Sequence, residues 1–144
     1  MKKILAVVAT FMLTMTACAD RHQLVQYSEL PAQAQSFIQK YFNKTDVSYI
    51  ERDLDGMVYE YNVYLQNGTE IEFNHQGAFQ SIDCQRSAVP EGIVPELITS
   101  FVALHHPNQM IVEYKVEYRR LKVGLSNDWE LEFDLDGNFL GIDD

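Results

Sequence analysis

Apolar and polar positions follow two rhythms along this chain, and the rhythms recur in the same order. Ala34, Phe37, Ile38, Tyr41 and Phe42 fall at i, i+3, i+4, i+7 and i+8, one stripe of a helix. Pro31 suits its first turn, where a missing N–H costs nothing. The period then changes to two. Met57, Tyr59, Tyr61, Val63 and Leu65 alternate with Val58, Glu60, Asn62, Tyr64 and Gln66, after an earlier strand expected at about 47–52. Thr69, Ile71 and Phe73 point one way, Glu70 and Glu72 the other. The second passage opens with Pro95 and the stripe Leu97, Ile98, Phe101 and Val102, which Pro107 ends. A strand at about 111–118 follows. Leu121, Val123 and Leu125 then alternate with Arg120, Lys122 and Gly124, and Trp129, Leu131 and Phe133 with Glu130 and Glu132. Asp55-Gly56, Asn67-Gly68, Gln76-Gly77, Asn127-Asp128 and Asp136-Gly137 mark the turns between strands.

The recurrence is visible residue by residue. At an offset of 60, residues 63–84 match residues 123–144 at ten of 22 positions, among them Glu70/Glu130, Glu72/Glu132, Phe73/Phe133, Gly77/Gly137 and Phe79/Phe139. Alternation with one apolar and one polar side implies antiparallel strands with one covered and one wet face. The expected architecture is α+β: two tandem helix-plus-four-strand repeats, 28–86 and 87–144. They form one antiparallel sheet of about eight strands with two helices on one face.

The N-terminus reads differently. Lys2 and Lys3 precede an apolar run from Ile4 to Met15, and Thr16, Ala17, Cys18 and Ala19 follow. This is the pattern of an export signal over 1–19, with a tail at 20–27. Two processing routes fit: cleavage after Ala19, or a lipoprotein cut before Cys18 that leaves Cys18 as the lipidated first residue. The mature chain is therefore expected to be periplasmic or secreted, or anchored through Cys18, with no transmembrane segment. Cys84 is then the lone remaining cysteine and cannot form an internal bridge. Its ordinary role is that of a small, part-buried residue at a strand end.

Charge narrows the partners. The chain has 11 basic and 21 acidic residues, a net charge of −10, and losing Lys2 and Lys3 moves it to −12. Nucleic acid is excluded as a partner, since phosphates need a basic footprint. A hydrophobic fraction of 47% excludes a disordered acidic tail.

Candidate chemistry is sparse. His105 and His106 are adjacent on a helix and point about 100° apart, so they do not converge on one ion. His22 falls in the tail and His75 in a turn. Asp134, Asp136, Gly137 and Asn138 resemble the opening of a calcium loop but lack its closing glutamate, and a hairpin turn is expected instead. Glu70/Glu72 and Glu130/Glu132 are carboxylate pairs at i, i+2, about 7 Å apart on a strand. They repeat in both halves, as a solvated face would. No nucleophile-elbow, phosphate-loop, zinc-protease or paired-cysteine motif is present. No enzymatic activity, metal or cofactor is expected.

The residues from Leu30-Pro31 through Asn67-Gly68-Thr69-Glu70-Ile71-Glu72-Phe73 to Gly77…Ile82-Asp83-Cys84 resemble the PepSY-like family. Members are also described as β-lactamase-inhibitor-like secreted bacterial proteins. Val89-Pro90…Pro95…Ile98 and Leu125-Ser126-Asn127…Glu130-Leu131-Glu132-Phe133…Gly137-Asn138-Phe139 resemble the family's second repeat. The resemblance implies the tandem fold, the envelope of a Gram-negative bacterium, and regulation of peptidases or other hydrolases. The inhibitor behind the family's description has a disulfide in each half, which this chain cannot form.

The wet face is the expected docking surface for a protein or peptide of the envelope. It should carry Tyr64, Glu70 and Glu72, with Glu60 and Asn62, from one half, and Arg120, Lys122, Glu130 and Glu132 from the other. Tyr64 is its expected anchor. A cation- or small-molecule-binding accessory role, using the acidic turns, is the alternative. Tyr59, Tyr61, Tyr114, Tyr118 and Trp129 are assigned to the helix-covered core.

Overall fold

A computed structural model describes residues 21–143. The export signal expected at 1–19, with Cys18, lies outside the described residues. The elements run β1 (His22–Leu24), α1 (Ala32–Tyr41), β2 (Val47–Asp55), β3 (Val58–Leu65), β4 (Glu70–Phe73), β5 (Phe79–Asp83), α2 (Glu96–His105), β6 (Ile111–Val116), β7 (Leu121–Leu125), β8 (Glu130–Phe133) and β9 (Phe139–Asp143). All nine strands form one sheet whose spatial order is the chain order, each neighbouring pair antiparallel.

Pro31 and Pro95 stand at the N-caps of the two helices, each with its carbonyl accepting the first helical hydrogen bond. Ala34 and Ile38 of α1, and Ile98 and Val102 of α2, are buried against the same side of the sheet. A single cross-strand row, Ile50–Val63–Ile71–Ile82–Tyr114–Val123–Leu131–Ile142, runs from β2 to β9 beneath them. Phe37 meets Phe73 edge-on at 5.5 Å, and Phe101 meets Phe133 in the same way at 5.4 Å. The two halves therefore share one core.

Duplication extends to the irregularities. Register slips between Val47 and Tyr49 in β2 and between Ile111 and Glu113 in β6. It slips again between Glu72 and Phe73 in β4 and between Glu132 and Phe133 in β8. Bulges at matching places bend both halves alike. The β4–β5 and β8–β9 turns are also the same. The side chain of Asn74 accepts from the N–H groups of Gln76 and Ala78, and that of Asp134 accepts from Asp136 and Asn138.

The structure departs from the sequence pattern in a few places. The tail at 20–27 contains β1, which pairs with β2 and brings the sheet to nine strands. Met57 and Tyr59 lie outside the core, 98% and 47% exposed. The helices and first strands of the two halves match at an offset of 64, whereas the later strands match at 60. The β2–β3 hairpin is therefore four residues longer than β6–β7, and its tip overhangs the covered layer. Tyr118 is exposed in the β6–β7 turn, Trp129 stands at the rim against His106, and Leu97 sits on the outer flank of α2 beside Gly137. Tyr61 and Tyr114 are buried as expected.

Candidate functional site: the open face of the sheet

The side of the sheet away from the helices is built by the other parity of each strand. One row reads Glu51–Asn62–Glu72–Ser81–Lys115–Lys122–Glu132–Gly141, and the next reads Tyr49–Tyr64–Glu70–Asp83–Glu113–Gly124–Glu130–Asp143. All nine residues expected on this surface are there, Glu60 opposite Asp53 and Arg120 against Glu132. They fall into two groups, separated by β5 and β6.

In the second half the carboxylates have cations set among them. Lys122 Nζ lies 2.9 Å from Glu130, 3.3 Å from Glu132, 3.8 Å from Asp143 and 3.9 Å from Glu117. Arg120 pairs with Glu132. The hydrogen bond to Glu130, with the other carboxylates nearby, holds the Lys122 ammonium above the ordinary lysine range, although partial burial opposes it. Glu130, Glu132 and Asp143 are close enough together to suit a metal ion, but the lysine already occupies the space between them.

Equivalent positions in the first half carry no such cation. Asn62 stands where Lys122 does, and Glu60 where Arg120 does, while Glu70, Glu72 and Asp83 keep their counterparts' acidity. Asn62 donates to Asp53 at 2.9 Å, and Ser81 donates to Glu72 at 2.9 Å. Burial, then the negative charge of Glu72, Asp55 and Asp53, pushes the Glu60 carboxyl up from its ordinary value. Beside this acidic stripe Tyr49 and Tyr64 stack at 4.4 Å, nearly parallel. Burial and the adjacent Glu70 carboxylate hold the Tyr64 hydroxyl well above the ordinary tyrosine range. In the second half Glu113 and Gly124 occupy the place of these two rings. A Cβ on Gly124 would come within 3.0 Å of Glu113 Cβ.

Sequence reasoning missed Tyr49, Glu51 and Asp53. They share the face because the β2 bulge resets the parity after Val47. Alternation from Ile50 onward would have placed Glu51 and Asp53.

The other candidate groups stay apart. His105 packs on Phe101 at 4.2 Å and His106 on Trp129 at 5.8 Å, so the neighbouring imidazoles face different aromatics. His75 is exposed in its turn, whereas His22, on β1, lies 2.6 Å from Asp53. Asp134 spends its carboxylate on the turn's own donors. Hydrogen bonds from Asn138 lead in holding it below the ordinary aspartate value. Cys84 is buried, and burial raises its thiol pKa despite an opposing contact from Thr69. The thiol is therefore poorly suited to act as a nucleophile.

Two matches to one family model cover residues 14–60 and 59–141, nearly the whole described chain. That family is described as "putative beta-lactamase-inhibitor-like, PepSY-like". The chain belongs to the PepSY-like family. Solved structures agree with this membership. A "putative periplasmic protein" from Bacteroides vulgatus is 32% identical, with a TM-score of 0.81, over 88% of this chain and 99% of its own. A "putative calcium-regulated periplasmic protein" from Bacteroides thetaiotaomicron is 31% identical, with a TM-score of 0.83 and the same coverage. A second B. vulgatus periplasmic protein of unknown function is 30% identical, with a TM-score of 0.81, over 85% of this chain and 99% of its own. Among curated proteins none matches this chain. In this PepSY-like protein the family match spans both halves of the duplicated fold.

Proposed function

We propose that this is an exported, non-enzymatic PepSY-like protein of the periplasm that binds a protein or peptide partner through the open face of its sheet. Inhibition or regulation of an envelope hydrolase is one form this binding would take. The observation that carries the reading is the acidic stripe of Glu51, Glu60, Glu70 and Glu72, with no lysine or arginine paired to it among the described residues, beside the Tyr49–Tyr64 pair. Close carboxylates without a cation favour a basic partner, and stacked tyrosines offer rigid contact area at little entropic cost. Arg120, Lys122, Glu130 and Glu132 contribute as a flank of mixed charge. A pull-down from envelope extract tests this. The partner should be recovered by the native protein and lost by the double variant Tyr64→Ala, Glu72→Lys. Undiminished recovery by that variant removes the surface from consideration. The periplasmic relatives support the location, and intact mass of the mature protein distinguishes a soluble chain from one lipidated at Cys18.

A second reading, cation binding, has one specific observation in its favour. His22, Glu51 and Asp53 bring ligand atoms within 4.8 Å of one another, and a relative is described as calcium-regulated. Glu51 and Asp53 supply the oxygen ligands that calcium prefers. Calorimetric titration with calcium should show a site lost in Asp53→Asn. An absence of heat eliminates this reading.

A further inference from the structure

Three strands hold equivalent places in the duplicated fold. β1 leads into α1 as β5 leads into α2, and β9 follows β8 as β5 follows β4, with the same register and bulge. Each delivers one apolar residue to the end of the core row. Val25, just after β1, donates to the Ile50 carbonyl at 3.0 Å and is 8% exposed. Ile82 is fully buried. Ile142, its counterpart in β9, is 46% exposed.

The cause of the difference is the next strand. Along the outer edge of β5 runs β6, with Ser81 opposite Lys115, Ile82 opposite Tyr114 and Asp83 opposite Glu113. Among the described residues nothing pairs with the outer edge of β9. An aromatic stack records the same break. In the first half Phe37 stacks on Phe79 at 4.9 Å, and Phe79 on Tyr114 at 5.8 Å, both pairs at 18°. In the second half Phe101 stacks on Phe139 at 4.6 Å, and no third ring follows among the described residues. Phe139 is 40% and Leu140 53% exposed. Edge strands are ordinarily blunted by charge, proline or brevity. Along Phe139-Leu140-Gly141-Ile142-Asp143 only the last residue is charged.

We propose that the outer edge of β9 accepts an antiparallel strand from a partner protein, one presenting an aromatic side chain at the Tyr114 register and a basic side chain beside it. The β5–β6 junction is the interface this repeats, and it specifies the occupant. The aromatic ring covers Phe139 and Ile142 as Tyr114 covers Phe79 and Ile82. The basic residue, in the place of Lys115, crosses Gly141, where an added Cβ would meet nothing within 4 Å. It also suits a chain with 21 acidic and 11 basic residues. A second copy fits less well. Its β1 offers only His22, Gln23 and Leu24, and β9 paired with itself about Gly141 sets Phe139 against Asp143. Neither arrangement supplies an aromatic opposite Ile142. Strand addition of this kind takes affinity from main-chain hydrogen bonds and specificity from alternate side chains. This edge borders the open face at Gly141 and Asp143 but lies at the other end of the sheet from the Tyr49–Tyr64 pair, so either surface can fail without the other.

The probe is a synthetic peptide with the sequence of residues 110–118, which contains β6, added to the full mature protein. Saturable one-to-one binding is expected by fluorescence anisotropy, with the largest amide shifts by NMR in β9. Replacing the tyrosine at the Tyr114 position of the peptide by alanine should weaken binding by roughly three- to tenfold, the usual worth of an aromatic pair. Ile142→Glu in the protein should abolish it while the thermal transition persists. If that variant unfolds, the shift map on the native protein decides alone. No saturable binding, or shifts confined to β1 or the open face, would overturn the proposal. Dimerisation in sedimentation that Ile142→Glu dissolves would also overturn it, because the occupant would then be a second copy.

Discussion

The two halves of the open face share strands, register and bulges but not charge. In the second, Lys122 sits among Glu130, Glu132, Asp143 and Glu117, and Arg120 pairs with Glu132, so the chain supplies two cations of its own. In the first, Asn62 and Glu60 occupy the same positions and the carboxylates face solvent unmatched. Beneath them the covered faces are nearly interchangeable, Phe73 for Phe133 and Ile71 for Leu131, all fully buried. Packing has kept the copies alike because one shared core rejects changes in volume on either side. The solvated side has no such constraint, and there Asn in place of Lys and Glu in place of Arg leave the first half without the cations of the second.

The strongest way to break this comparison is through the core. Phe73→Ala and Phe133→Ala should each lower stability by about 3–5 kcal/mol, with one cooperative transition in denaturant. Two transitions, or a loss confined to one half, would show that the halves fold independently. Glycines in the matching turns should part company next. Gly77 has φ +85°, and a Cβ there would stand 2.6 Å from Pro31 Cβ and 3.0 Å from the Ala34 backbone nitrogen. Gly137, at φ +87°, would meet only the Leu97 side chain, at 3.2 Å. Gly77→Ala should therefore cost about 2–3 kcal/mol and Gly137→Ala about 1–2, measured by thermal melting.

Smaller effects sharpen the contrast in charge. Lys122→Met leaves Glu130, Asp143 and Glu117 without their cation, while Glu132 keeps Arg120, and should cost about 1–2 kcal/mol by urea denaturation. Asn62→Lys copies the cation into the first half. It should stabilise the protein by up to about 1 kcal/mol while removing partner binding at that stripe. Glu60 gives the slightest signal. Its carboxyl binds a proton more tightly folded than unfolded, so its contribution is most favourable at low pH. That contribution declines as pH rises from 4.5, the ordinary value, through the raised one. Glu60→Gln should flatten that decline in melts between about pH 4 and 7.

Much of the fold was legible in the residues. The helix stripes, the alternating strands and the offset of 60 give the elements and their pairing, because each obeys a local period that one buried side imposes. The long hairpin was harder to read. Met57 and Tyr59 continue the inward alternation, and only the change of offset from 64 to 60 betrays that the strand runs past its cover. The nine expected face residues lie where strand parity puts them. Tyr49, Glu51 and Asp53 escaped because a bulge resets parity in β2, and β1 because three residues are too few to show a period.

Local pattern by itself determined which side of each strand is dry, where the chain turns and that the unit is doubled. A side chain's face follows from its neighbours in sequence, and those are fixed by covalent spacing. Only the tertiary structure decided that Lys122 sits among carboxylates from two other strands while Asn62 brings no cation to its own. It also decided that Ile142 lacks the covering strand that buries Ile82. Both depend on which distant segments the sheet sets side by side, a matter of cross-strand register that no single stretch of sequence contains.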